Sequence, residues 1–69
     1  MKNCIKVERA IKNITQAQLA EAIRVSRQTI NAMELGKYIP STLLALKIAN
    51  YFGKPVEAIF ELEDSDWEE

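Results

Sequence analysis

Few residues in this 69-residue sequence are suited to covalent or metal chemistry. Cys4 is the single cysteine and histidine is absent, so the chain offers neither an internal disulfide nor the ligands of a structural zinc site. A thiol without a neighbouring base is usually a small apolar filler. No serine, lysine or carboxylate has an evident catalytic partner either. We therefore expect no enzymatic activity, no metal and no cofactor.

Charge is distributed unevenly along the chain. The formal net charge is −1, yet all nine lysines and arginines precede residue 55, and six of the ten acids lie in the last nine residues. Residues 1–60 carry nine positive and four negative side chains, a net of +5. The body of the chain is thus suited to a polyanion, while residues 61–69 form an acidic tail.

The length of the chain favours a single helical domain. A protein of this size buries only about 60% of its unfolded surface, and helices suit a small core because their backbone hydrogen bonds are local. No apolar run approaches the roughly 18 residues of a membrane span, and residues 1–12 lack the apolar centre of a signal peptide. We expect an all-α, cytoplasmic protein that does not associate with membranes.

Cap and stop residues divide the chain into five predicted helices. The predicted caps are Thr15 (with Gln18 completing a capping box), Ser26 and Ser41, and the predicted stops are Gly36 and Gly53. Pro55 suits the first turn of a short last helix. The predicted helices are residues 3–13, Gln16–Ile23, 27–35, Thr42–Phe52 and a fifth ending at Ile59 or Phe60. The predicted core contains Leu19, Ile23, Ile30, Met33, Leu44 and Ile48, and the tail is expected to fray.

The second and third helices, joined by a short turn, form a helix-turn-helix arrangement over residues 16–35. The small side chain of Ala20 would let them cross closely. Here the sequence resembles the Cro and phage-repressor (XRE) family, through TQAQLAEAIRVSRQTINAMELGKYIPS and then LALKIANYFGKPVEAIF. The resemblance covers residues 3–60. It implies a compact five-helix domain, like that of the lambda repressor, that binds double-stranded operator DNA as a homodimer with the third helix in the major groove.

The resemblance also implies which residues contact DNA. The family's base-reading positions fall on Arg27, Gln28 and Asn31, with Thr29 beside them. Arginine can form two hydrogen bonds with guanine, and glutamine or asparagine can form two with adenine. The family's phosphate-contacting positions fall on Thr15, Gln16, Ser26, Lys37 and Tyr38. Alternatively, the polar residues of the third helix are simply a solvated face, and Lys37 complements the helix dipole.

Three positions depart from the family pattern. Arg24 stands in the turn where the family usually has glycine, so a left-handed backbone there would cost about 1 kcal/mol, part of which the arginine would recover by reaching a phosphate. Glu8 occupies a position that is more often apolar and is expected to pair with Lys12 one turn on. Leu43 replaces a commonly polar residue.

Glu34 is expected to bond to backbone or to a basic residue of the first helix.

The last third of the chain contains more apolar residues than one small core can easily bury. The predicted homodimer interface consists of Leu43, Val56, Ile59, Phe60 and Leu62, with Leu46, Tyr51 and Trp67 nearby. The alternative is an apolar surface without a partner.

The predicted function is that of a sequence-specific transcription regulator, and of a repressor in particular, because no residues remain for a sensory or activating domain. No small-molecule ligand is expected. The alternative is an antitoxin or adaptor that uses the same fold to bind a protein through the side bearing Leu43, Phe60 and Trp67.

Overall fold

The structure, a computed structural model, describes residues 1–68, so that Glu69 at the end of the predicted acidic tail lies outside the described residues. Residues 1–68 contain five α-helices and two short strands. In chain order the elements are β1 (Lys2–Asn3), α1 (Ile5–Lys12), α2 (Gln16–Ile23), α3 (Arg27–Glu34), α4 (Thr42–Phe52), α5 (Val56–Ile59), β2 (Phe60–Glu61) and a 3₁₀ helix (Asp64–Trp67). The predicted helical fold is confirmed, with a two-stranded sheet added to it. None of these helices is long and apolar enough to cross a bilayer.

Helices α2, α3 and α4 begin at the predicted hydroxyl caps. The Thr15 hydroxyl accepts a hydrogen bond from the Gln18 N–H at 3.1 Å, and the Gln18 side-chain oxygen accepts one from the Thr15 N–H at 2.8 Å. Ser26 and Ser41 cap α3 and α4 in the same way. These bonds satisfy amide groups that the first turn of a helix leaves without partners. The predicted bounds of α2 and α4 are confirmed, whereas α1 begins two residues later than predicted and α3 ends one residue earlier.

The turn between α2 and α3 has a left-handed backbone at Arg24, where φ is 61°. The Val25 N–H bonds to the Ala20 carbonyl at 2.9 Å, and the Arg24 N–H bonds to the Glu21 carbonyl at 3.3 Å. These two bonds close a Schellman motif, the usual way for a helix to end. A side chain in this region costs about 1 kcal/mol relative to glycine. The strain considered from the sequence is therefore present.

The core lies between α2, α3 and α4, and the start of α1 and the end of α5 complete it. Its buried apolar residues are Ile5, Leu19, Ala20, Ile23, Ile30, Met33, Leu44, Ile48, Ala49, Ile59 and Phe60. All six predicted core residues are among them. The apolar residues of α1 are a weaker guide to the core, because Ile11 is 70% exposed and Val7 is 56% exposed. One of the buried residues of α1 is instead charged, namely Glu8.

The two ends of the described chain lie side by side. Strand β1 pairs antiparallel with β2, with Lys2 opposite Glu61 and Asn3 opposite Phe60. The Met1 ammonium group lies 2.9 Å from a Glu63 oxygen and 3.1 Å from an Asp66 oxygen. Hydrogen bonds to these two carboxylates raise the pKa of the Met1 amino group. The predicted fraying is therefore wrong for the described part of the tail, because backbone pairing and ion pairs hold it in place.

Candidate nucleic-acid interface

The first turns of α3 present the predicted base-reading side chains to solvent. Arg27, Gln28 and Asn31 are exposed, and Thr29 is half-buried. Arg27 and Asn31 are one turn apart and share a face of the helix. The Thr29 hydroxyl lies 2.9 Å from the Ser26 hydroxyl, so it is already engaged in the cap. Three of the four predicted reading residues are thus available to an external partner, and Thr29 supports the start of the helix.

Gln16, the first residue of α2, connects this face to the rest of the domain. Its side-chain NH₂ group donates to the Asn31 side-chain oxygen at 3.2 Å and to a Glu34 oxygen at 3.1 Å. The bond to Asn31 fixes which side of that amide faces α2. Within residues 1–68 the Asn31 NH₂ group makes no hydrogen bond of its own, so it is available as a donor. Gln16 is half-buried and therefore has a positioning role besides its predicted phosphate contact.

Glu34, at the end of α3, is held by Arg9 of α1. The guanidinium group donates to both carboxylate oxygens, at 2.5 and 3.0 Å, and also to the Ile14 carbonyl at 3.1 Å. Burial alone would raise the pKa of Glu34, but the hydrogen bonds from Arg9 and Gln16 outweigh it and leave the pKa below its ordinary value. The same pairing raises the pKa of Arg9. The expectation that Glu34 contacts a basic residue of the first helix is confirmed, and this pair fixes α3 against α1.

Glu8 does not pair with Lys12, so that prediction is wrong. Glu8 is 7% exposed, and one of its oxygens accepts a hydrogen bond from the Lys54 ammonium group at 2.8 Å. The Lys12 ammonium group lies instead 5.0 Å from the centre of the Tyr51 ring. Glu8 and Lys12 lie one turn apart on the same side of α1, but the Lys12 ammonium group lies over the Tyr51 ring and Lys54 is the partner of Glu8 instead. A charged residue can occupy this buried position because a cation from the segment after α4 reaches it.

The remaining predicted phosphate contacts lie at the ends of α2 and α3. Thr15 and Ser26 are exposed caps, and Lys37 and Tyr38 follow Gly36, with Tyr38 45% exposed. Among the described residues, Lys37 forms no ion pair within 4.0 Å. Exposed amide groups at a helix N-terminus favour an anion, and an unpaired lysine does so as well. These positions remain predictions, since the structure contains no nucleic acid.

The predicted dimer residues do not form one exposed surface. Leu43 and Leu62 are exposed, at 66% and 57%, and Val56 is half-buried. Ile59 and Phe60, at 2% and 8%, are buried within the domain itself. The prediction that Ile59 and Phe60 contact a second chain directly is therefore wrong, because the pairing of β2 with β1 brings them into the core. They have almost no surface left for a second chain.

An apolar groove of 330 Å³ lies beside this region. Sequence reasoning missed one of its most exposed members, Ile39, which is 61% exposed in the link before α4. The groove is lined by Met1, Ile39, Pro40, Thr42, Ala45, Leu46, Val56, Glu57 and Phe60. The only signal in the sequence was an apolar residue before a proline, which indicates an extended link and says nothing about burial.

Asn3 is a second positioning residue that sequence reasoning missed. Its side-chain NH₂ group donates to the Met33 carbonyl at 2.8 Å, and its side-chain oxygen accepts from the Ile5 N–H at 3.2 Å. It therefore joins the start of α1 to the last turn of α3. A single asparagine near the start of a chain gives no sign of such a contact, because its partner is 30 residues away.

Comparison with known proteins agrees with this geometry. A family profile described as helix-turn-helix matches residues 5–59. A protein of Methanocaldococcus jannaschii is 54% identical over 66 residues, covering 96% of this chain and all of the relative. A Bacillus subtilis protein is 46% identical with the same coverage, and one from Archaeoglobus fulgidus is 45% identical over 69 residues, covering 99% of this chain and 97% of the relative. All three are named uncharacterized HTH-type transcriptional regulators. The chain belongs to the helix-turn-helix family of DNA-binding transcriptional regulators.

Proposed function

We propose that this protein is a sequence-specific repressor that binds a palindromic operator as a homodimer, with α3 in the major groove. The observation that carries the proposal is the outer face of α3, where Arg27, Gln28 and Asn31 are exposed at the end of the helix that enters the groove first. Each is a residue type that forms paired hydrogen bonds with base edges. The protein thereby occludes a promoter without needing a catalytic step.

Phosphate contacts set the register of α3 on the duplex in this proposal. They come from the start of α2 (Thr15 and Gln16), the start of α3 (Ser26) and the link after it (Lys37 and Tyr38). Such contacts add affinity but little sequence information. The cations of residues 1–60 support the approach of DNA, while the acidic tail disfavours it at the opposite end of the chain.

The second copy covers the apolar groove in this proposal. Leu46 and Ile39, which line the groove, are each more than half exposed, and Val56 lines it as well. Leu43 is a further exposed apolar residue of α4. One reading helix rarely gives useful affinity alone, and two half-sites about 34 Å apart supply the rest. In this proposal the dimer surface is built from α4, the link before it and α5.

Selection of bound sequences from random duplexes at fixed salt tests the function. The expected result is a palindromic consensus, and Gln28→Ala should weaken binding to it by about 1–3 kcal/mol without a change in melting temperature. Lys37→Ala should weaken consensus and random DNA alike, while Lys2→Ala, which removes an equal charge elsewhere, should have less effect. The absence of any preferred sequence would contradict the proposal.

Light scattering of the wild type and of Leu46→Glu tests the dimer. The wild type should have twice the chain mass, and the charged variant should be a folded monomer. A monomeric wild type would reject the homodimer. It would then favour the antitoxin or adaptor function, in which a different protein covers the groove and the exposed Trp67, whose side chain is 76% accessible.

A further inference from the structure

A cleft lies between the end of α2 and α4. Its volume is 290 Å³, just below the range typical of ligand pockets. It is lined by Ala22, Ile23, Arg24, Lys47, Asn50 and Tyr51. None of these residues belongs to the proposed base-reading or phosphate-contacting set, so the cleft is a separate site.

The charges of this cleft are positive and unpaired. Within residues 1–68, neither Arg24 nor Lys47 lies within 4.0 Å of a carboxylate oxygen, and no carboxylate lines the cleft. The acid nearest in sequence, Glu21, is exposed and is not among the lining residues. The two cations that line the cleft come from different parts of the chain, Arg24 from the turn after α2 and Lys47 from α4.

The backbone of Arg24 adds a second, independent observation. Its left-handed conformation is one that glycine adopts without strain, yet the chain has an arginine there. Arg24 lines the cleft, where the planar set of donors of its guanidinium group matches the oxygens of a phosphate. The Asn50 amide offers a further donor from α4. An anion bound by both Arg24 and Lys47 would offset the cost of keeping an arginine at this left-handed position.

We propose that this cleft binds a phosphate group through Arg24 and Lys47, with Asn50 as an additional donor. Two sources share this chemistry: a free phosphorylated molecule such as a nucleoside monophosphate, and the DNA backbone beside the operator. Only the second source rests on the proposed function.

Titration of the DNA-free protein tests the first source. Inorganic phosphate and adenosine monophosphate are added at constant ionic strength, with chloride as the reference, while backbone amide shifts are followed by NMR. Saturable shifts are expected in residues 22–24 and 47–51. Arg24→Gly and Lys47→Ala should each weaken binding about tenfold. Both variants should fold, since glycine suits the backbone at residue 24 and residue 47 is exposed on a helix. Lys2→Ala is the matched control and should bind normally.

The salt dependence of binding to random duplex DNA tests the second source. Each phosphate contact that is lost reduces the slope of log K against log salt by about one. A reduction of this size in Arg24→Gly and Lys47→Ala, but not in Lys2→Ala, identifies the DNA backbone as the source. An unchanged slope together with saturable phosphate binding identifies a free ligand. If neither variant differs from Lys2→Ala in either experiment, the site is rejected. The NMR result stands even if no operator sequence is found.

Discussion

Two carboxylates attach α1 to the rest of the domain, and they do so differently. Both oxygens of Glu34 bond to Arg9, and the two side chains are only 7% and 14% exposed. Glu8, whose side chain is 8% exposed, bonds through one oxygen to Lys54, whose side chain is 43% exposed. A two-point pair between two little-exposed side chains fixes orientation, whereas a one-point pair with a partly exposed lysine fixes it less firmly. The attachment to α3, which carries the proposed reading residues, is therefore the more rigid of the two.

The largest expected effect is that of breaking the Arg9–Glu34 pair. Arg9→Met should lower the free energy of unfolding by about 3 kcal/mol, because it leaves the Glu34 carboxylate buried with only Gln16 as a partner. Urea unfolding followed by circular dichroism measures the change. In the double variant Arg9→Met, Glu34→Leu much of the loss should be recovered, since no charge is then left unpaired. A double variant as unstable as the sum of the single ones would show that the pair is not coupled.

Acid should weaken the same attachment. The pKa of Glu34 is lowered in the folded protein, so its contribution is fully present above its ordinary value of 4.5 and is lost as the pH falls through the folded value. The unfolding free energy should therefore fall as the pH drops below about 4.5. The fall should be less steep in Glu34→Gln, which cannot titrate. Parallel curves for the two proteins would exclude Glu34 as a source of the acid sensitivity.

A smaller effect is expected at the second pair. Lys54→Met should cost about 1–2 kcal/mol, because the buried Glu8 carboxylate loses the one hydrogen bond that it accepts from Lys54. The control is Lys12→Met, which removes the cation that the sequence assigned to Glu8 and should cost about 0.5 kcal/mol or less. Thermal unfolding of the two variants compares them. A larger loss for Lys12→Met than for Lys54→Met would indicate that Lys12, and not Lys54, is the partner of Glu8.

Arg24 provides a comparison of opposite sign, because its backbone is left-handed and its side chain forms no ion pair within residues 1–68. Arg24→Gly should raise the unfolding free energy by about 1 kcal/mol, since glycine adopts the left-handed backbone without strain. Arg24→Ala should not, because alanine keeps the strain. Urea midpoints distinguish the two variants. Equal midpoints would contradict the cost assigned to the left-handed backbone at this turn.

The helices were predictable because their signals are local. Thr15, Ser26 and Ser41 each bond to an amide three residues on, so a short stretch of sequence contains both partners. The pairing of β1 with β2 was not predictable, because residues almost 60 positions apart form it and each strand is two residues long. That pairing also buries Ile59 and Phe60, which is why their predicted role in the dimer was wrong. Glu8 was misassigned for the same reason, since Lys54 is 46 residues away.

The exposed residues of the candidate interface could be predicted from the sequence, but the residues that hold them in position could not. The family resemblance named Arg27, Gln28 and Asn31, and the structure places all three at the surface. It did not indicate that Gln16 would bond to Asn31, or that Asn3 would bond to the end of α3, because both contacts depend on how the helices cross. Residue type and spacing identify a reading face, and tertiary packing determines how firmly it is held.

The hydrogen bond between Gln16 and Asn31 has a consequence for how this protein can change over evolution. Asn31 is at once a proposed reading residue and the end of a chain of hydrogen bonds that runs through Gln16 and Glu34 to Arg9. A substitution that alters operator preference at this position therefore also removes a partner from Gln16. Gln28, whose side chain forms no hydrogen bond within residues 1–68, is free to vary alone. New specificities should arise first at Gln28, and changes at Asn31 should be accompanied by a compensating change at Gln16.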